Sequence, residues 1–348
     1  MSQQNQPLEL LLAHGEGEIG RVLVSGFPHI PGSTPAERLE WLNSNNTPLK
    51  RFLSLEPRGY AQMSTNIIAP PLNPDADAAF FVMQGERVYA MSGSNTICVA
   101  TALLEAGHIK IQEGETKLLL ETAVGIIPVT ANTKNGKCLS VKLGVSGAFA
   151  HTLDLPLDVS GLGAVNVDIA FGGVFFVIVN ARDLGIKLSP QTAREITAAA
   201  KPVLHAARES VQPEHPEIKS IRGVAYALFT DTLADGALLN ANVMPPGRLD
   251  RSPCGTGTAA RLACAAARGE LKAGDSRAAA SVIGSRIRVE CLEVSREEHP
   301  RVRLEITGRG RYYGRQTLFP PQPRNDDSPP EEFVLSDTWG EDLDSLAS

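Results

Sequence analysis

Two stretches of this chain set a small nucleophile-type residue and a glycine at the head of a run of small and apolar residues. Residues 92–107 read SGSNTICVATALLEAG and residues 254–269 read CGTGTAARLACAAARG. Aligned without gaps, Ser92-Gly93 falls on Cys254-Gly255, Thr96 on Thr258 and Gly107 on Gly269. The pattern predicts two helices, each buried on most sides and closed by a left-handed glycine. Small polar residues in both first turns leave backbone N–H groups accessible, and two such N-termini facing one cleft would hold a carboxylate. Ser92 and Cys254 would then flank the same ligand from opposite sides. That is what acid–base chemistry at the α-carbon of an amino acid requires. A helix N-terminus would also draw the Cys254 thiol from about 8.5 toward neutrality. On residue type alone, an unreactive capping cysteine explains Cys254 equally well.

Other chemistries find less support. GTGTAA (255–260) has the spacing of a dinucleotide fingerprint, but it follows Asp-Arg-Ser-Pro rather than a buried strand, and no βαβ unit surrounds it. The sequence holds no G-x-S-x-G, H-E-x-x-H or P-loop motif. The seven histidines are scattered, with His215 and His299 beside prolines, so no metal cluster is expected. Cys98 and Cys264 fall inside the two helices, and Cys138 and Cys291 in strand-like runs. All four read as core residues.

The elements that must position the two helices are mostly strands. RVLVSG (21–26), VNVDIAFGGVFFVIV (165–179), GVAYALFTD (223–231), SVIGSRIRVECLEV (281–294) and RVRLEITGRG (301–310) have strand chemistry. The segment 79–91 reads as a hairpin about Gln84-Gly85. A further helix spans 189–210, opened by a capping Ser189 and Pro190, with Pro202 expected to kink or break it. The repeated helix, each copy set among strands, implies a duplicated unit: two sheet-rich domains, each wrapped around a central helix.

Composition bounds the class. The chain has 348 residues, 31 glycines and 24 prolines, which suits strands and turns rather than a helical bundle. A net charge of −6 gives no basic surface for nucleic acid. No apolar run approaches the roughly 20 residues of a membrane span, and the first residues do not read as a signal peptide. Five cysteines without a C-x-x-C pair fit a reduced, cytoplasmic setting. The segment 321–348 holds eight acidic residues against Arg324 and reads as a disordered acidic tail. A short partner-binding motif around Phe333–Trp339 is the other reading of it.

DRSPCGTGTAARLA (250–263) closely resembles the signature of the proline racemase superfamily, which includes 4-hydroxyproline 2-epimerases and trans-3-hydroxy-L-proline dehydratases. RVLVSGFPHIPG (21–32), LEPRGY (55–60), the MSGSNT region, VDIAFGGVFFVIV (167–179), HPEIKSIRGVAYALFT (215–230) and SVIGSR (281–286) extend the resemblance over roughly residues 20–315. It implies an α/β (α+β) fold of two pseudo-symmetric subdomains resembling diaminopimelate epimerase. Their expected bounds are 1–125 with about 300–320, and 126–299. It further implies a small imino-acid substrate held in the cleft between them, and neither pyridoxal phosphate nor metal. Residue by residue, Cys254 matches the second of two catalytic cysteines and Asp250 the aspartate that binds the ring nitrogen. Gly255 and Thr256 match residues that hold the carboxylate, with Gly93 and Ser94 as their counterparts in the first motif. A homodimer is compatible with the sequence but not required by it.

The first motif departs from the family pattern. Its usual Met-Cys-Gly-His-Gly-Thr reads Met91-Ser92-Gly93-Ser94-Asn95-Thr96 here. A hydroxyl is far less acidic than a thiol, so Ser92 is a poor general base unless a neighbour activates it. Two-way racemisation wants two matched bases, whereas dehydration of trans-3-hydroxy-L-proline asks for less. The α-hydrogen and the hydroxyl share one ring face there, so one group could serve both. The sequence therefore points first to a trans-3-hydroxy-L-proline dehydratase giving Δ1-pyrroline-2-carboxylate, with Cys254 and Ser92 as acid/base pair. The alternatives are an isomerase of the 4-hydroxyproline 2-epimerase or proline racemase type, and a binding module without activity.

Overall fold

In the computed structural model, the described residues are 6–45, 48–85, 87–218, 221–297, 299–320 and 332–335. They divide into two units, one made of residues up to Leu143 together with those from Arg309 onward, the other Gly144–Gly308. The boundaries thus fall at 143/144 and 308/309, where the sequence suggested 125/126 and about 300.

In the first unit, β1 (Leu8–Gly15) and β2 (Glu18–Ser25) form an antiparallel hairpin, with β17 (Gly310–Leu318) on the other edge of β1. A crossover carrying α1 (Pro35–Ser44) and α2 (Pro48–Ser54) returns the chain to β3 (Met63–Ala69), parallel to β2. An antiparallel β4 (Ala78–Gln84) turns into the short β5 (Arg87–Tyr89). Helix α3 (Gly93–Glu105) follows, then β6 (Gly114–Thr122) parallel to β4, then β7 (Gly125–Lys134) antiparallel to β6. The long β8 (Lys137–Val159) pairs with β7 through its first residues.

The second unit repeats this order of pairings. The last part of β8 pairs with β9 (Gly163–Phe171), which forms a hairpin with β10 (Phe175–Asn180). A crossover through two 3-10 turns and α4 (Ala193–Ser210) leads to β11 (Val224–Thr232), parallel to β10. An antiparallel β12 (Leu238–Met244) turns into the short β13 (Arg248–Leu249), followed by α5 (Gly255–Ala267). Then come β14 (Ser276–Ser281) parallel to β12, an antiparallel β15 (Arg286–Val294) and an antiparallel β16 (Arg301–Gly308). Hairpin, parallel crossover, antiparallel return, short strand, helix, parallel strand: each unit runs through the same sequence. The duplication inferred from the two helix segments is therefore a duplication of topology.

Each central helix lies on strands of its own unit. Helix α3 packs against β1, β2 and β17, and α5 against β9, β16 and β10. Period-2 alternation turns Leu8 and Leu10 of β1 and Leu23 of β2 into a core completed by Phe52, Ile67 and Phe81. In the second unit, α4 buries Ile196, Ala199, Ala200, Val203, Leu204 and Ala207 at helical spacing, against Val177, Val179, Phe229 and Ala241.

Several elements differ from the sequence expectation. The run 165–179 is two strands, because Gly172-Gly173 breaks it into a hairpin. The segment 281–294 likewise splits: Ser281 ends β14, residues 282–285 turn, and only 286–294 form the next strand. Pro202 does not end α4, which runs unbroken from Ala193 to Ser210 with its apolar face buried; that burial outweighs the lost backbone hydrogen bond. Of the acidic segment 321–348, only 332–335 belong to the described residues, and the rest lies outside them. Those four pack on the first unit. Phe333 N–H donates to Glu56 O at 3.0 Å, Glu332 pairs with Arg58 at 3.3 Å, and Val334 lies against Leu55 and Ala61.

Candidate active site

Both helices begin where the sequence placed them. In the first unit, Ser92 is the N-cap of α3, with φ −151° and ψ 130°. Its side chain makes no capping bond to the helix backbone. The Ser92 carbonyl instead accepts from Thr96 N–H at 2.9 Å and from Thr96 Oγ1 at 2.8 Å. The N–H groups of Gly93, Ser94 and Asn95 precede that first helical bond, and such groups have no acceptor within their own helix. Ser92 Oγ accepts from Asn95 Nδ2 at 3.1 Å and lies 3.4 Å from Ser94 Oγ. No carboxylate or imidazole bonds to it, so the structure supplies the missing histidine with no replacement base among the described residues.

In the second unit, Cys254 is the N-cap of α5 and has φ +58° and ψ 93°, outside the regions side-chain-bearing residues ordinarily occupy. Strain of this kind persists where surrounding contacts over-determine the backbone. Those contacts are visible: Asp250 Oδ1 accepts from Ser252 N–H at 2.8 Å, and Ser252 Oγ accepts from Cys254 N–H at 3.1 Å. Asn240 Nδ2 donates to Pro253 O at 3.0 Å and to Thr258 Oγ1 at 2.9 Å. The Asp-Arg-Ser-Pro-Cys segment is therefore a nest of side-chain-closed turns that aims the thiol. Cys254 Sγ accepts from Gly257 N–H at 3.3 Å and lies 3.6 Å from Thr256 Oγ1, within the first turn of α5. Thr258 repeats the role of Thr96, donating to the Cys254 carbonyl from its N–H at 2.7 Å and from Oγ1 at 2.8 Å.

The two helix heads are also seated alike. A Cβ on Gly15, at the end of β1, would meet Ser94 O at 2.5 Å; one on Gly172, just past β9, would meet Thr256 O at 2.0 Å. In each unit the hairpin backbone touches the helix's first turn at the second residue after the cap.

The structure thus groups Ser92, Gly93 and Ser94 on one helix head, and Asp250, Cys254, Gly255 and Thr256 on the other. All five cysteines are buried, Cys254 included, and burial pushes the thiols of Cys98, Cys138, Cys264 and Cys291 up. His215 is a core residue, edge-on to Phe149 and Phe171, with burial holding its imidazole below the usual range.

Sequence reasoning missed four asparagines. Asn66 and Asn95 back Ser92 in the first unit, as Asn240 braces the head of α5 in the second. Asn242 follows two residues on, on the same face of β12 as Asn240. It sits opposite Leu228, whose methyl carbons lie 3.1–3.3 Å from where a Gly257 Cβ would be. It is 1% exposed, and neither amide atom has a hydrogen-bond partner among the described residues. The available signal was amides inside otherwise apolar strands, TNII (65–68) and LLNANVM (238–244), since a buried amide must find partners or have another use.

Residues 10–325 match the proline racemase family. A 4-hydroxyproline 2-epimerase from Agrobacterium fabrum is 42% identical over 344 residues, covering 97% of this chain and 98% of that protein. The crystal structure of a hydroxyproline epimerase from Agrobacterium vitis, with bound trans-4-hydroxy-L-proline, superposes with a TM-score of 0.89 at 42% identity; coverage is 97% of this chain and 98% of that one. A phenazine biosynthesis protein of the PhzF family from Bacillus anthracis, at 13% identity and a TM-score of 0.54, covers 90% of this chain and 99% of its own; it shares the fold alone.

Proposed function

Since the chain belongs to the proline racemase family, with DRSPCGTGT intact and a hydroxyl at the first cysteine position, we propose that it is a 4-hydroxyproline 2-epimerase working through side chains alone. The observation that carries the chemistry is the matched pair of helix caps, Ser92 and Cys254, at equivalent positions of the duplicated unit. The 42%-identical relatives named for this reaction, one of them holding trans-4-hydroxy-L-proline, favour that substrate. They thereby reverse the order of the two reactions suggested by the sequence.

In this reading the first-turn N–H groups of α3 and α5 bind the carboxylate, and the Asp250 carboxylate binds the ring ammonium. The Cys254 thiolate removes the α-hydrogen as a proton, leaving the electron pair on the α-carbon in conjugation with the carboxylate. Ser92 gives a proton to the other face, forming the new C–H bond. Water restores the Ser92 proton and takes that of Cys254.

Dehydration of trans-3-hydroxy-L-proline is the second reading, favoured by the absence of a base beside Ser92 among the described residues. There the α-proton is removed in the same way, the 3-hydroxyl leaves as water with a proton from a site group, and the enamine tautomerises. Proton NMR in D₂O separates the two. Loss of the α-proton signal of trans-4-hydroxy-L-proline with growth of its C2 epimer supports the epimerase. Pyrroline-2-carboxylate from trans-3-hydroxy-L-proline, with the 4-hydroxy isomer inert, replaces that assignment by the dehydratase.

A further inference from the structure

Behind Ser92 runs a chain of buried amides whose direction is fixed from its far end. The Arg21 carbonyl can only accept, and it takes a bond from Asn66 Nδ2 at 3.1 Å. The same Asn66 Nδ2 donates to Asn95 Oδ1 at 2.8 Å. With its oxygen committed, Asn95 must present its nitrogen to Ser92, and Nδ2 lies 3.1 Å from Ser92 Oγ. Reversing Asn66 would set oxygen against oxygen, and reversing Asn95 would set N–H against N–H, so the network itself assigns both orientations. Asn66 and Asn95 are both fully buried, and Asn66 Oδ1 has no partner among the described residues. An unpaired buried carbonyl costs stability, so this arrangement is kept at some expense to the fold. Space is reserved for it as well: a Cβ on Gly20 would stand 2.7 Å from Asn95 Oδ1 and 3.1 Å from Asn66 Nδ2.

We infer that Asn95, held by Asn66, is a positioning residue that makes Ser92 Oγ an acceptor toward the protein and leaves its hydrogen to be given to the substrate. Among the described residues, the only other partner of Ser92 Oγ is Ser94 Oγ, at 3.4 Å, beyond the usual O–H···O range. When Ser92 protonates the α-carbon, its O–H bond breaks and a C–H bond forms. The electron pair stays on Oγ, where the Asn95 N–H already points at it. Water then reprotonates the alkoxide. An amide cannot take the Ser92 proton, so the hydrogen stays on the hydroxyl until it is delivered, and the same N–H holds the alkoxide that the reverse reaction uses as base. It rests on the reading of Ser92 as the second acid/base group, but the orientation can be tested without any substrate.

The probe is a thiol in place of the hydroxyl. In a Cys254→Ala background, Ser92→Cys puts an ionisable sulfur at the head of the chain. Its thiolate is read from the pH dependence of alkylation by iodoacetamide, with the labelled peptide identified by mass. An N–H donated to sulfur favours the thiolate, so adding Asn95→Ala should slow labelling at pH 7 by at least threefold. Adding Asn95→Asp should slow it further, because a carboxylate there would offer the sulfur only oxygen. The order Asn, Ala, Asp supports the inference, whereas equal rates overturn it. If the Ala variant does not fold, the isosteric Asp variant against its parent decides alone. In the enzyme with its native Ser92, Asn95→Ala should lower kcat at least tenfold with KM within threefold. If labelling follows the expected order but neither hydroxyproline is turned over, the functional reading fails and the positioning role stands.

Discussion

A thiol and a hydroxyl at equivalent helix caps are not equivalent acids, and the environments of Cys254 and Ser92 widen the difference. Cys254 is held at a positive φ behind two successive turn bonds and faces the N–H of Gly257. Ser92 sits in relaxed extended backbone with an amide behind it. Loss of a positioned acid/base group costs on the order of 10²–10⁴ in rate, so Cys254→Ala should lower turnover at least about a hundredfold. Cys254→Gly separates chemistry from folding. It relieves the positive φ, worth about 1–2 kcal/mol, but adds about 0.5–1 kcal/mol of unfolded-chain entropy and loses the Sγ cap. The two nearly cancel, so a thermal melt should move by only a few degrees while activity disappears; a collapse of the melt would make Cys254 a structural cap. Burial raises the other four thiols, so they stay protonated through neutral pH. Brief iodoacetamide treatment of the native enzyme at pH 8 should therefore label Cys254 and leave them intact. Mass analysis showing label spread over several sites would contradict this.

At the scale of elements, the helix heads depend on what touches them from behind. Gly172→Ala would force a methyl to within 2.0 Å of Thr256 O, a backbone atom that can yield only if α5 moves. Overpacking of this kind costs about 1–3 kcal/mol, and a shift of the α5 head should lower kcat more than it lowers stability. Asn242→Leu should behave oppositely. Both amide atoms of Asn242 are buried without partners among the described residues, so an apolar residue of similar volume should leave the melting temperature unchanged or raise it. If Asn242 serves the site, turnover will fall all the same; unchanged kinetics would make it a mere defect of the core. The sequence foretold α3 and α5 because their signals are local: small residues after the cap, an apolar run, and Gly107 and Gly269 at φ +80° and +76°. It also foretold the β4–β5 hairpin, whose register pairs Met83 with Val88 across Gln84-Gly85. It did not show α1, β12 or the asparagine braces. Those depend on which strand lies beside which, and Asn66 beside Asn95 is a contact across 29 residues.

For the whole molecule, the net charge of −6 misleads, because the last 28 residues carry eight acidic groups and Arg324, leaving +1 on the first 320. The acidity belongs to the C-terminal segment, while the proposed carboxylate binding falls to helix N-termini, whose partial charge is independent of the overall sum. That segment does touch the first unit. Glu332 pairs with Arg58 at 3.3 Å and with Arg51 at 3.7 Å, and Val334 covers Leu55 and Ala61. The same loop approaches the framework of the site, since Arg21 donates to Arg58 O at 2.7 Å and its own carbonyl anchors Asn66. Partly exposed ion pairs contribute about 0–1 kcal/mol each, and one half-buried valine about as much again. Ending the chain at Pro320 should therefore lower the melting temperature by no more than about 4–6 °C. It should also shift elution on an anion exchanger at pH 7 from retained to unretained, and leave kcat within twofold. A tenfold loss of kcat with the melt unchanged would show that residues 332–335 hold Arg58, and through it Arg21 and the Asn66–Asn95 chain, in working position. The charge of the segment would then matter at one contact only, and Arg58→Gln in the full-length chain should reproduce the loss.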